Sequence, residues 1–206
     1  MTVPPVLWSP ADDALTSTRL GRFLTFCESR AERSFAGYDE LWEWSIGDGL
    51  EGAWEAIWEF FDVRSTQPYE RVLSERVMPG ARWFDGARLN YAEHILRSAD
   101  GRLGDPAIVG VSQSRDRVEL TWWELTQEVA RARRGLQAMG VGEGDRVAAY
   151  LPNIPETIAI FLACASIGAT WSCCSPDFGI RSVVDRFAQI EPKVLFAADG
   201  YRYGGK

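Results

Sequence analysis

Apolar positions along the chain follow two textures. In the first hundred residues they recur at helical spacing and are strongly aromatic. Leu20, Phe23, Leu24 and Cys27 fall on one helical face, and Trp54, Ile57, Trp58 and Phe61 form a second, stronger one. "LNYAEHIL" reads as a helix start, with Asn90 as cap and Glu93 three residues on. Near Asp105 the texture changes. "AIVGVSQ" and "RVELT" are short strand patterns separated by "SRD", which predicts a hairpin. Thr121 then caps a helix, with Glu124 in the capping-box position. Its apolar face is Leu125, Val129, Ala132, Leu136 and Met139, and Gly140 stops it.

From residue 146 the pattern is regular. "RVAAYL" (146–151) reads as a strand and "IPETIAIFLACASIG" (154–168) as a helix opened by Pro155 and Glu156. "ATWSCC" (169–174) is a second strand, "IRSVVDRFAQI" (180–190) a helix ended by Pro192, and "KVLFAA" (193–198) a third strand. Strands alternating with helices of this length imply βαβαβ, a parallel sheet with right-handed crossovers. The expected fold is therefore α/β: a helical, Trp-rich region over 1–104, then an incomplete parallel βαβαβ subdomain over 105–206. The boundary is expected in "SADGRLGD" (98–105). In such sheets ligands sit beyond the C-terminal ends of the strands, which places "CSPDFG" (174–179) at a ligand-binding edge.

Composition narrows the classes. At 46% hydrophobic and 25% charged, the 206 residues suit a globular chain rather than a disordered one. Nine tryptophans allow a core built from short helices. A net charge of −7 argues against nucleic acid and anionic membranes as partners, although a local loop can still hold an anionic cofactor. "MTVPPVLWSP" lacks a basic region followed by an apolar run, so a cytoplasmic setting with free thiols is expected. The uncharged stretch 157–174 is long enough to suggest a membrane span. Gly168 and the prolines around it favour a buried helix, a turn and a buried strand.

Several motifs spell chemistry without its context. Cys173-Cys174 lacks metal-ligand spacing, and neighbouring strand side chains point to opposite faces, so buried structural thiols are expected. Asp177-Phe178-Gly179 matches a kinase motif with no His-Arg-Asp loop or glycine-rich loop to accompany it. "GVGEG" (140–144) follows a helix and precedes a strand, the reverse of a dinucleotide fingerprint, and reads as a turn. Gly200 to Lys206 fits G-x-x-x-x-G-K but follows a late strand and carries bulky residues, so it reads as a basic loop. Arg202 and Lys206 can still meet phosphate as ordinary cations. His94, the one histidine, has no visible nucleophile or carboxylate partner and is expected to be structural.

"WFDGARLNYAEHIL", "GVGEGDRVAAYLPNIPETIAIFLACASIGAT" and "SVVDRFAQIEPKVLFAADG" together resemble the N-terminal part of acetyl-CoA-synthetase-like adenylate-forming enzymes. "WSCCSPDFGIRSVVDRFAQIEPKVLF" is similar to the acetoacetate-activating members, and the resemblance runs over nearly the whole chain. It implies a ligase that converts acetoacetate and ATP to an acyl-adenylate and pyrophosphate, after which the coenzyme A thiol displaces AMP. ATP, coenzyme A and Mg2+ are the implied cofactors. The family's phosphate loop, later nucleotide motifs and adenylation lysine would fall after residue 206, as would the ATP and Mg2+ sites. No catalytic or metal-binding residue carries over, and the chain is expected to be an N-terminal part, inactive alone, whose partner is the rest of the same polypeptide. By resemblance, Ser175, Pro176, Asp177 and Phe178 meet the nucleotide end of coenzyme A, and Arg202 and Lys206 its phosphates. Two alternatives stay open: a ligase for acetate or propionate, and a non-catalytic nucleotide- or coenzyme-A-binding module. The loop itself can also be read as mere cover for the sheet edge.

Overall fold

The computed structural model describes residues 5–200 and residue 202. The chain divides into two compact units, one running up to Leu89 and one beginning at Asn90. The change of texture read near Asp105 lies inside the second unit, because the helix at Tyr91–Leu96 packs into that unit's core, with Ala92 fully buried.

The first unit contains α1 (Ala14–Ser17), α2 (Arg19–Ala31), α3 (Tyr38–Ile46) and α4 (Leu50–Phe60), then an antiparallel pair, β1 (Arg71–Leu73) and β2 (Trp83–Asp85). Thr18 caps α2, its hydroxyl accepting the Gly21 amide at 3.0 Å. Leu24, Cys27, Phe35, Leu41 and Ala56 form the core. The face expected on α4 is corrected by the structure: its buried residues are Ala53 and Ala56, while Trp54 and Phe61 are 42% and 41% exposed. Small residues let a helix pack closely against a neighbour, and α4 contacts α2. The large rings turn elsewhere: Trp54 meets Trp83, and Trp58 meets Tyr69 and Phe84. On α2, Leu20 is likewise exposed rather than part of the buried face.

The second unit opens with α5 (Tyr91–Leu96), where the Asn90 side chain accepts the Glu93 amide as the pattern predicts. A 3-10 turn follows. The hairpin β3 (Pro106–Gly110) and β4 (Val118–Thr121) leads into α6 (Trp122–Ala138) through a complete Thr121–Glu124 capping box. Leu125, Val129 and Leu136 of α6 are buried, whereas Met139 is 51% exposed, because it lies at the C-cap where the helical face ends.

The remainder is β5 (Arg146–Tyr150), α7 (Pro155–Ile167), β6 (Thr170–Cys174), α8 (Ile180–Ile190) and β7 (Val194–Ala197). The three strands are parallel in the order β6-β5-β7, so the expected α/β fold with a parallel βαβαβ arrangement is what the structure has. Val147 packs with α6 and α7, whereas its neighbour Ala148 packs with Val183 and Phe187 of α8. Adjacent strand side chains point to opposite faces, so α7 and α8 cover opposite faces of the sheet. The strand order thus reverses at β5, and the crevice of a doubly wound sheet opens between the C-terminal ends of β5 and β7. Leu195, in register with Ala148 on the α8 face, is 55% exposed. Among the described residues no helix is long and apolar enough to cross a membrane.

Candidate functional site

Two structures stand at the C-terminal edge of the sheet. The first is the turn after β6. The amide of Phe178 donates to the Ser175 carbonyl at 3.0 Å, closing a β-turn with Pro176 in its second position. Pro176 is buried, Ser175 and Asp177 are exposed, and Phe178 is 39% exposed. The Arg186 guanidinium, one turn and a half into α8, stands 5.1 Å from the Phe178 ring centroid. Gly179 is the N-cap of α8 and supplies no side-chain bond, which leaves the first amides of that helix without a side-chain acceptor at the cap.

The turn is tied to β5. Tyr150, the last residue of that strand, directs its hydroxyl at the carbonyls of both Pro176 and Phe178, each at 2.8 Å. Sequence reasoning did not single out Tyr150. The signal was available: a hydroxyl-bearing ring closes an otherwise apolar strand, "RVAAY", at the end where ligands bind.

The second structure is a cavity of about 410 Å³ where the β3–β4 hairpin, the start of α7 and the segment after β7 converge. Ser112, Ser114, Arg115, Asn153, Asp199 and Arg202 are among its lining residues. Gly110 and Pro155 form a tight wall, since a Cβ on Gly110 would lie 3.0 Å from the Pro155 ring. Arg115 pairs with Glu156 at 3.0 Å, joining the hairpin to the first turn of α7. Partial burial pushes the Glu156 carboxyl up, but the bond from Arg115 and its charge outweigh this and hold it below the ordinary range. Thr157, buried in the same turn, donates to the Pro152 carbonyl at 2.8 Å.

The expected site residues therefore separate into two groups. Ser175, Pro176, Asp177 and Phe178 form one turn, and Arg202 lines the cavity, which that turn does not reach. Lys206 lies outside the described residues. The hairpin-tip donors Ser112, Ser114 and Arg115 were missed, because a turn sequence such as "SRD" carries no sign of which strand ends it will face.

The motifs set aside also have places. Gly140–Gly144 is a turn at the opposite, N-terminal edge of the sheet. Cys27, Cys164 and Cys174 are buried and Cys173 is exposed, so the expected burial of the vicinal pair holds for one thiol only. Alternation along β6 turns Cys174 toward the α8 core and Cys173 away from it. Burial pushes the Cys27 and Cys164 thiols up to about 11, keeping them protonated at neutral pH. His94 sits half-buried in the last turn of α5. Among the described residues no cluster of three His, Cys, Asp or Glu side chains could hold a metal ion.

Against known proteins, residues 95–203 match the family model described as AMP-binding enzyme. The chain belongs to this family. Residues 38–95 match the model described as acetyl-coenzyme A synthetase N-terminus. Acetoacetyl-coenzyme A synthetase of Rhizobium meliloti (strain 1021) is 44% identical over 97% of this chain, and acetoacetyl-CoA synthetase of Danio rerio 38% identical over 98%. In each case the chain spans 30% of the relative's length. The solved structure of acetoacetyl-CoA synthetase from Streptomyces lividans superposes on 98% of this chain, and 31% of its own, with a TM-score of 0.92 and 48% identity. The similarity thus covers both the Trp-rich region and the parallel sheet of this AMP-binding family member.

Proposed function

We propose that these 206 residues serve an ATP-dependent ligase that joins acetoacetate to coenzyme A through an acetoacetyl-adenylate, with release of pyrophosphate and AMP. The observation that carries this is the 48% identity to an acetoacetyl-CoA synthetase structure across 98% of the chain. Within that reaction, these residues contribute the surface for the nucleotide end of coenzyme A. Phe178 offers a ring for adenine, and the uncapped start of α8 offers amides to an anionic group. Ser175 and Asp177 flank the turn that Pro176 shapes, and Arg202, with Lys206, offers cations to phosphate. The cavity fits such a ligand in size, its volume lying in the usual range for small-molecule sites, and two arginines, two serines and an asparagine line it together with Asp116 and Asp199. When bound, ATP would supply the activated phosphoryl group and Mg2+ would offset its charge; both are assigned to residues outside this chain, in the same ligase. Residues 105–206 are read as the first part of the adenylate-forming domain and 1–104 as its helical forerunner.

ATP–pyrophosphate exchange on the ligase that contains this chain tests the reading, run with acetoacetate and, in parallel, with acetate. Exchange driven by acetoacetate well above acetate is expected. Exchange with acetate alone would move the assignment to an acetate ligase, and exchange with neither would leave a coenzyme-A-binding module.

A further inference from the structure

We propose that Tyr150 is a positioning residue for the coenzyme A nucleotide, acting through the Ser175–Phe178 turn rather than by touching the ligand; this rests on the reading of that turn given above. The turn lies just past the end of β6, beyond the reach of the strand ladder, which ends with Tyr150 in register with Cys174. Three further contacts continue the seam between the strands: the Leu151 amide donates to the Cys174 carbonyl at 3.2 Å, and Tyr150 Oη reaches the Pro176 and Phe178 carbonyls. One hydroxyl proton faces two acceptors at 2.8 Å, so it is shared between them and holds both peptide units of the turn at once. Those units flank the Asp177–Phe178 pair, and the second of them joins Phe178 to Gly179, the N-cap of α8. The direction of the Phe178 ring, and of the helix start behind it, thus depends on a side chain from the neighbouring strand. The ring's other restraint is Arg186, whose exposed guanidinium meets it at 5.1 Å. Nothing in the core requires the hydroxyl, because Ala148, Cys174, Val183 and Phe187 pack without it. A phenylalanine keeps the ring in that cluster and removes only the tether.

The test is Tyr150→Phe in the ligase that contains this chain, with three readouts: the thermal midpoint, amide hydrogen exchange at Phe178, and calorimetric affinity for coenzyme A and for adenosine 3′,5′-bisphosphate, which carries its nucleotide end alone. The expected result is exchange at Phe178 faster by roughly fivefold to tenfold, both affinities lower by about the same factor, and a midpoint within a few degrees of wild type. Unchanged exchange would overturn the tether. Faster exchange with unchanged affinities would overturn the positioning role while leaving the site reading intact. A lowered midpoint with exchange faster throughout α8 and β5 would make Tyr150 a structural residue. Failure of the wild-type ligase to bind either compound would overturn the site reading, and the positioning role with it.

Discussion

The two ends of the parallel sheet are built to different purposes. At the N-terminal end, polar groups satisfy each other. Lys193, just before β7, pairs with Asp145 at 2.9 Å and donates to the Gly140 carbonyl, while Asp145 also accepts the Gly142 amide at 2.8 Å. The Gly144 amide donates to the Gly168 carbonyl at 2.9 Å, and Gly168 ends α7 with φ +80°. At the C-terminal end several groups are left facing solvent: the polar side chains of Arg202 and Asn153, the uncapped start of α8 and the half-exposed ring of Phe178. The difference teaches where to look in such a sheet. The edge proposed to bind is the one that presents groups beyond the C-terminal ends of the strands.

Substitutions should separate the two. The largest effect is expected from Gly168→Ala. The left-handed backbone there disfavours a side chain, and the new Cβ would lie 3.1 Å from Glu143 Cγ. Together these should cost about 2 kcal/mol in urea unfolding, with coenzyme A affinity unchanged. Arg202→Ala should do the opposite, weakening coenzyme A about fivefold, or about 1 kcal/mol, with no change in the urea midpoint; the loss should shrink in high salt. The smallest effect concerns acid. The hydrogen bond from Lys193, the Gly142 amide and nearby positive charge hold the Asp145 carboxyl below its ordinary value of 3.8. Its contribution is therefore complete above that pH and is lost as the pH falls through its lower folded-state value. Asp145→Asn should lower stability slightly and by a constant amount near neutrality and flatten the profile below pH 4, so that the two proteins converge in acid, as read from unfolding midpoints across pH.

Much of this was legible in the sequence because the signals are local. The Thr121–Glu124 box, the Asn90 cap, Pro155 at the start of α7 and the span 180–190 each rest on neighbours a few residues apart. What escaped depends on distant partners. The buried face of α4 is set by α2 and by a β-pair that begins at Arg71, well after the helix ends at Phe60, so alanines rather than tryptophans face the core. Met139 fits the helical spacing but lies where the helix has already stopped. The turn 174–179 was placed at the binding edge from strand order alone, yet Tyr150 reaches it across 26 positions of sequence that no periodicity connects. Arg115 meets Glu156 across 41.

The central claim is that the C-terminal edge of the sheet is the one that meets coenzyme A. Hydrogen exchange of the ligase that contains this chain, with and without saturating coenzyme A, tests it most directly. The account predicts slowed exchange at 150–154, 175–182 and 198–202, with 140–145, 168 and 193 unaffected. Slowing confined to the N-terminal edge, or absent from both, would contradict it.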